Sequence, residues 1–269
     1  MYPIANLCVS FISIKDNTMK VVIVGSGNVA TVLGRLIKNA GHEILQVVSR
    51  DAAHANLLAT ELQCAYADYE GSIDKNTDLY LIAVKDSALY DLNKVFNAGN
   101  KLVVHTAGSI PRDVLKDISH NYGVLYPLQS LRKEMDTVAG IPILIDGNTS
   151  DTIAMIEDFA RSFSCTVSVA GDEERLKLHV AAVIVSNFTN HLYALAEEFC
   201  VKEKVDFKML IPLIRETAER VAVNSPAAVQ TGPALRNDIF TLDKHLRLLN
   251  AYPKLKYVYL KLTESIMKG

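Results

Sequence analysis

The chain has 269 residues, 49% of them hydrophobic, and a formal net charge of −2 at pH 7. This length fits two domains or one sizeable domain with an ample core, and the near-neutral charge argues against nucleic acid or an anionic membrane surface as a partner. No apolar run is long enough to cross a bilayer, and the widely spaced Cys8, Cys64, Cys165 and Cys200 predict reduced thiols, no metal site and a cytoplasmic protein.

Residues 1–18 do not fit the nucleotide-binding pattern that begins at Met19. They lack a basic n-region and a small-residue cleavage site, so we do not expect a signal peptide. An upstream start codon or a loosely packed arm would explain this extension.

The stretch from Met19 to Gly41 predicts a strand, a tight turn and a helix. The apolar run at 21–24 leads into G-S-G-N-V-A, and apolar residues then recur at helical spacing. Glycines in such a turn let a pyrophosphate approach the backbone at the helix N-terminus, where free N–H groups favour an anion. The pattern favours a dinucleotide site over a turn without a ligand, with cofactor contacts from Gly25, Ser26, Gly27, Asn28 and Val29.

The tip of the second strand indicates which dinucleotide binds. Sites for NAD usually carry an acidic residue there, whereas Ser49 and Arg50 can both bind a 2′-phosphate. Asp51 is better placed as the N-cap of a helix over 52–62. NADP(H) is therefore the expected cofactor, the alternative being a solvated Arg50 and a capping Ser49.

Further strand-like runs alternate with helices up to residue 170, at 78–84, 101–105, 123–127, 141–146 and 166–170. They predict an α/β fold with a parallel, doubly wound Rossmann sheet, and a helix from Asp86 to Phe96. Ligands of such sheets lie beyond the carboxyl ends of the strands. At these strand ends we expect Val84, Lys85 and Thr106 to contact the cofactor, and His105 is a candidate catalytic residue. Tyr126 should reach the same crevice, without an assigned role.

After Gly171 the pattern becomes helical, with helices expected over 172–204, 206–223, 237–250 and 253–268. The sequence thus predicts an extension (1–18), an NADP-binding domain (19–170) and a helical domain for substrate binding and dimerisation (171–269). The first of these helices is apolar nearly all round at 180–185. That pattern is typical of a bundle centre or a subunit interface, and the small second domain favours a homodimer.

Four segments carry a resemblance: H-T-A-G-S-I-P at 105–111, G-V-L-Y-P-L-Q-S at 123–130, K-L-H-V-A-A-V-I-V-S-N-F at 177–188 and T-G-P-A-L-R-N-D at 231–238. With the G-S-G-N-V-A loop, they resemble a Rossmann-like NADP oxidoreductase family of unassigned substrate within the 6-phosphogluconate-dehydrogenase-like proteins. Relatives of that group include pyrroline-5-carboxylate reductase, prephenate dehydrogenase and deazaflavin-dependent NADP reductases. The resemblance implies an NADP cofactor, a helical second domain and a dimer. The hydroxyacid dehydrogenases of this group have a catalytic Lys with an Asn four residues on, but here Ala181 follows Lys177 at that spacing.

Polar residues on the long helix are the first candidates for chemistry. His179, Ser186, Asn187 and Asn190 share one helical face. We expect His179 to donate a proton, with Ser186 beside it and Asn187 orienting the substrate. The alternative is that these groups only satisfy one another in a buried core.

Two other places could contribute. His105 lies at a strand end, and Arg236 precedes a helix at Asp238 in a Gly-Pro turn that would suit a lid over an anionic substrate, or only a cap and a solvated charge. Taken together, the sequence predicts an NADP(H)-dependent oxidoreductase acting on a small carbonyl, imine or hydroxy-acid compound. The alternative is a non-catalytic protein that senses NADP(H).

Overall fold

The computed structural model describes residues 18–135 and 140–268, so nearly all of the predicted extension lies outside the described residues. Its contacts divide the chain into a larger unit that ends at Asn187 and a helical unit that begins at Phe188. The predicted boundary near residue 171 follows the last strand, whereas this division assigns the first helix after that strand to the larger unit.

The larger unit is built on one eight-stranded sheet, with the strand order β3-β2-β1-β4-β5-β6-β7-β8. The strands are β1 (Lys20–Val24), β2 (Glu43–Val48), β3 (Ala65–Ala67), β4 (Leu79–Ile82), β5 (Gly99–His105), β6 (Ser119–Pro127), β7 (Ile143–Gly147) and β8 (Val167–Val169). This confirms the α/β Rossmann-like class. Two details of the prediction were wrong: β3 was missed, and β7 pairs antiparallel with β6.

The helices of this unit are α1 (Asn28–Asn39), α2 (Ala52–Leu62), α3 (Asp86–Leu89), α4 (Ser150–Arg161) and α5 (Asp172–Ala182). Asp51 caps α2 as predicted, because its carboxylate accepts hydrogen bonds from the backbone N–H groups of Ala53 and His54. The expected helix from Asp86 to Phe96 is instead the single turn of α3 and a 3-10 turn at Leu92–Lys94.

Both faces of the sheet are covered, which explains why its strands are continuously apolar. On β1, Val21 and Ile23 pack toward α1 and α2, while Val22 and Val24 pack against the residues after β4 and β5. All four side chains are fully buried. The nucleotide turn therefore projects from the most tightly enclosed strand of the sheet.

The helical unit contains α6 (Thr189–Glu203), α7 (Ile211–Val223), α8 (Ile239–Leu248) and α9 (Pro253–Lys268), and its described residues form no strand. A π-helical turn at Val183–Phe188 lies between α5 and α6 in sequence. Apolar side chains more than half exposed in this unit include Val201, Met209, Leu213, Ile239, Phe240 and Tyr257. None of the helices among the described residues is long and apolar enough to cross a membrane.

The middle of the predicted long helix carries exposed apolar side chains. Val180 and Ile184 are each 53% exposed, and Val185 is 71% exposed. The interpretation of this segment as a bundle centre was therefore wrong. Its other interpretation, as a subunit interface, stays a prediction.

The N-terminal turn of α5 is fixed to the sheet by a buried cation. Arg175 is only 1% exposed and donates hydrogen bonds to the Ile110 carbonyl (2.6 Å) and to Asp172 Oδ1 (2.7 Å). The same carboxylate oxygen accepts from the Arg112 backbone N–H at 3.0 Å. Asp172 thus joins α5 to the turn after β5 and compensates the charge of Arg175.

Asp172→Ala should lower the free energy of unfolding by about 3 kcal/mol, because removing one partner of a buried ion pair leaves an uncompensated buried charge. Glu174→Ala, in the same exposed first turn, is the matched control and should change it by less than about 0.5 kcal/mol. Urea unfolding followed by circular dichroism measures both. Equal stabilities of the two variants would contradict the anchoring role of Asp172.

Candidate functional site

The turn after β1 is shaped by close contact with the neighbouring strand ends. Gly25 has φ +126°, and its N–H donates to the Val48 carbonyl at 2.7 Å. A Cβ at Gly25 would lie 2.1 Å from the Ala83 carbonyl oxygen, so only glycine fits. The ends of β1, β2 and β4 consequently meet at one edge of the sheet.

The N-terminus of α1 is open at this edge. Gly27 is the N-cap, no side chain caps the helix, and no acidic residue lies in its first turn. A Cβ at Gly27 would meet nothing within 4 Å, so there is free space beside the backbone. Uncapped N–H groups at the positive end of a helix fit the phosphates of a dinucleotide. Ser26 and Asn28 flank this position, and the Ser26 hydroxyl donates to the Ser49 hydroxyl at 2.9 Å.

The tip of β2 places Ser49 half-buried and Arg50 exposed beside the phosphate turn. Hydrogen bonds from backbone N–H groups, chiefly that of His54, lower the pKa of Asp51. The same hydrogen bonds cap the N-terminus of α2, so this carboxylate is already occupied. Arg50 forms no ion pair with any described residue. A free guanidinium with a hydroxyl beside it suits the 2′-phosphate of NADP better than a ribose diol.

A pocket of about 500 Å³ opens next to the nucleotide turn, within the larger unit. Its walls come from α1, the segment after β5, the end of β6 and the segment from α5 into the π-helical turn. The lining residues are Val29, Thr106, Tyr126, Pro127, Leu128, Gln129, Ser130, Leu178, His179, Ala181, Ala182, Val183, Val185, Ser186 and Asn187. Because Val29, in the first turn of α1, lines the pocket, the pocket is continuous with the nucleotide turn. Val84 and Lys85 lie at the end of β4 and do not line it.

Two side chains meet across this pocket. The Tyr126 hydroxyl and His179 Nδ1 are 2.9 Å apart, and the two rings pack edge to face with centroids separated by 5.8 Å. Burial raises the pKa of Tyr126, so its hydroxyl keeps its proton. The hydroxyl can donate to Nδ1 of a neutral His179 or accept from an Nδ1–H, so this contact fixes the ring in either case.

Gly108 makes room for this pair. A Cβ there would lie 2.6 Å from His179 Nδ1 and 2.9 Å from Tyr126 Cζ. Any larger residue would push the two rings apart. In the sequence Gly108 is only one residue of the segment at 105–111, because its role depends on a contact with α5 more than sixty residues later.

The predicted polar face of the long helix is brought to the pocket in part. His179, Ser186 and Asn187 line the pocket, and Asn190 belongs to the helical unit. Ser186 and Asn187 lie in the π-helical turn, a feature that often occurs at functional sites. Lys177 does not line the pocket, and its ammonium group forms an ion pair with Glu173 at 2.5 Å.

Two predicted catalytic residues do not line the pocket. His105 is fully buried, and burial together with the charge of Arg175 lowers its pKa to about 4, so it is neutral and cannot touch a substrate. Arg236 is exposed in the helical unit, where Asp238 caps α8 through the Thr241 N–H. No local pattern in the sequence predicted the apolar wall at Leu128 and Leu178.

Two family models match the chain. Residues 20–108 match the coenzyme F420-dependent NADP oxidoreductase family, and residues 141–266 match a domain of unknown function, DUF2520. A search of curated protein sequences gave no significant match.

Similar solved structures cover nearly the whole chain. BF3122 from Bacteroides fragilis, described as a "putative NADP oxidoreductase", is 36% identical over 94% of this chain and 99% of its own, with a TM-score of 0.88. A reductive aminase from Aspergillus terreus, in complex with NADPH and ethyl-5-oxohexanoate, is 17% identical over 94% of both chains, with a TM-score of 0.69. A 1-pyrroline-5-carboxylate reductase from Streptococcus pyogenes is 16% identical over 94% of this chain and 99% of its own, with a TM-score of 0.62. At these lower identities the likeness concerns the fold alone.

Arg50→Ala should narrow the difference in affinity between NADPH and NADH by about tenfold or more, because hydrogen bonds to charged groups contribute about 1.5–3 kcal/mol. Calorimetric titration of each cofactor measures this difference. Arg161→Ala on α4, which removes a surface arginine outside the site, should leave it unchanged. Equal affinities of the wild type for the two cofactors would overturn the assignment of Ser49 and Arg50.

Proposed function

The chain belongs to the family of NADP oxidoreductases represented by the Bacteroides fragilis protein, and we propose that it catalyses NADP(H)-dependent reduction of a small carbonyl or imine compound, or the reverse oxidation of a hydroxy acid. The observation that carries this proposal is the hydrogen-bonded Tyr126 and His179 pair in a pocket continuous with the nucleotide turn. Such a pair provides the proton that the reduction needs.

NADPH supplies a hydride to the carbon of the C=O or C=N bond when it is bound. The proton for the oxygen or nitrogen comes from Nε2 of His179 in its protonated form, which carries a proton on each ring nitrogen, so its loss leaves a neutral ring. In that form Nδ1–H donates to the Tyr126 hydroxyl oxygen, 2.9 Å away. Tyr126 is thus a positioning residue that fixes the ring. The half-buried imidazole regains its proton from solvent.

The neutral groups beside the pair orient the substrate. The Asn187 amide and the Ser186 hydroxyl line the same pocket and can bind the reacting oxygen or nitrogen. Apolar side chains on the opposite walls exclude water from the reacting bond. Arg236 would contribute only as part of a lid over the substrate.

Turnover is tested with a panel read at the NADPH absorbance. The panel includes ethyl 5-oxohexanoate, 1-pyrroline-5-carboxylate, cyclic ketones, cyclic imines and 2-oxo acids. His179→Gln should lower kcat at least about 100-fold, as expected for loss of a general acid, and Tyr126→Phe should lower it about tenfold. NADPH affinity should remain unchanged in both variants, and the exposed His120→Gln is the control.

The alternative is a protein that senses NADP(H) without catalysis. It is favoured by Ala181, which stands where a catalytic Asn follows the Lys in related dehydrogenases. No turnover of any panel member by the wild type, together with tight NADPH binding, would replace the oxidoreductase proposal with this one. Full activity of His179→Gln would refute only the assigned proton donor.

We further propose a homodimer formed through the helices. Support comes from Val180, Ile184 and Val185 and from the apolar side chains exposed on the helical unit. Exposed patches of this extent are typical of interaction sites. A two-fold arrangement is the simplest closed assembly.

Light scattering should give a mass twice the 29.6 kDa of one chain for the wild type. Ile184→Glu should give monomer or aggregate, because a charge in an apolar interface lacks a partner. Leu57→Glu, at a 70% exposed position on α2, should not change the mass. A wild-type monomer at micromolar concentration would refute the dimer.

The cysteines are compatible with the proposed cytoplasmic location. Burial raises the pKa of the Cys64 thiol to about 11, and Cys200 is buried in the helical unit. Buried thiols such as those of Cys64 and Cys200 are unreactive and stay reduced without forming disulfides.

A further inference from the structure

We infer that the pocket selects an uncharged, mainly apolar carbonyl or imine compound and discriminates against analogues that carry a carboxylate. This inference rests on the proposed function, since it concerns the substrate of the same pocket. It narrows the substrate class from the three kinds of compound named above and disfavours hydroxy acids and 2-oxo acids.

The polar groups of the pocket are all suited to neutral partners. Apart from Tyr126 and His179, they are hydroxyls and amides, from Thr106, Gln129, Ser130, Ser186 and Asn187. Among the described residues that line the pocket there is no Lys, Arg, Asp or Glu. A carboxylate entering here would lose hydration without gaining an ionic partner.

The two arginines that hold α5 and β7 are not among the residues that line the pocket. Arg175 is buried; its Nη2 donates to Asp172 and to the Ile110 carbonyl, and its Nε and Nη1 have no hydrogen-bond partner among the described residues. Arg112 donates to both carboxylate oxygens of Asp146 at 3.2 Å and to the Gly147 carbonyl at 2.8 Å. Neither cation is therefore placed in the pocket wall to pair with a carboxylate.

The remaining wall is apolar and partly made of small residues. Leu128 and Leu178 line the pocket together with the small side chains of Ala181 and Ala182. A pocket with apolar walls and a few convergent polar groups is typical of sites for small, largely apolar ligands. The polar end at His179 and Asn187 would hold the C=O or C=N group, and the apolar walls would hold the rest of the molecule.

Arg236 gives the opposing hypothesis. If this exposed side chain of the helical unit closed over the site, the substrate would be anionic. The two hypotheses differ in the sign of the preference for a carboxylate and in whether Arg236 affects it.

The test measures binding without turnover. Cyclohexanecarboxamide and cyclohexanecarboxylate have nearly the same shape and differ in charge, and neither is reduced. Their dissociation constants for the full-length protein saturated with NADPH, whose nicotinamide ring is uncharged, are measured by saturation-transfer NMR titration. We expect the carboxamide to bind at least tenfold more tightly. Equal affinities, tighter binding of the carboxylate, or binding of neither probe would overturn the inference.

Two variants test whether the preference for the carboxamide arises in this pocket. Gln129→Lys places a cation at its rim and should reduce the preference for the carboxamide at least threefold, whereas Leu57→Lys on the outer face of α2 should leave it unchanged. An unchanged preference in Gln129→Lys would count against this pocket as the origin of the selectivity. Carboxylate binding that is lost in Arg236→Gln would instead support the anionic lid.

This experiment separates the inference from the proposed function. Selective binding with no NADPH consumption across the panel would support the neutral pocket and refute the oxidoreductase proposal. NADPH consumption with a preference for 2-oxo acids over ketones of equal length would support the oxidoreductase proposal and refute the neutral pocket.

Discussion

The hydrogen bond between Tyr126 and His179 is the contact on which the candidate site depends. It joins the end of β6 to α5, and it forms only because Gly108 leaves space and Arg175 fixes the start of the helix. The sheet and the helix would otherwise present two unrelated polar groups. Their contact holds an imidazole in a fixed position in a pocket between elements that are distant in sequence.

His105 and His179 differ in how deeply they are buried. His105 lies beneath the pocket, where the apolar environment and the charge of Arg175 keep it neutral. Its ring therefore belongs to the core, and of the two histidines only His179 lines the pocket and can exchange a proton with a ligand. The same cation thus anchors α5 and excludes a second histidine from the chemistry.

The sequence predicted the nucleotide turn, the tip at Ser49 and Arg50 and the cap at Asp51, because these features depend on residues close together along the chain. It also placed His179, Ser186 and Asn187 on one face. It did not identify the partnership of Tyr126 with His179 or the need for Gly108, because both are contacts between distant segments. His105 was chosen for its place at a strand end, but the depth of a strand end in the core is not visible in local spacing.

The two outer strands of the sheet, β3 and β8, have only three residues each. An edge strand presents unpaired N–H and C=O groups to which another chain can add a strand, and a short edge offers few of them. The sheet is therefore a poor template for pairing with other copies or with unfolded chains. Contacts between molecules must therefore come from side-chain packing. Side-chain packing can discriminate among partners, whereas backbone pairing cannot.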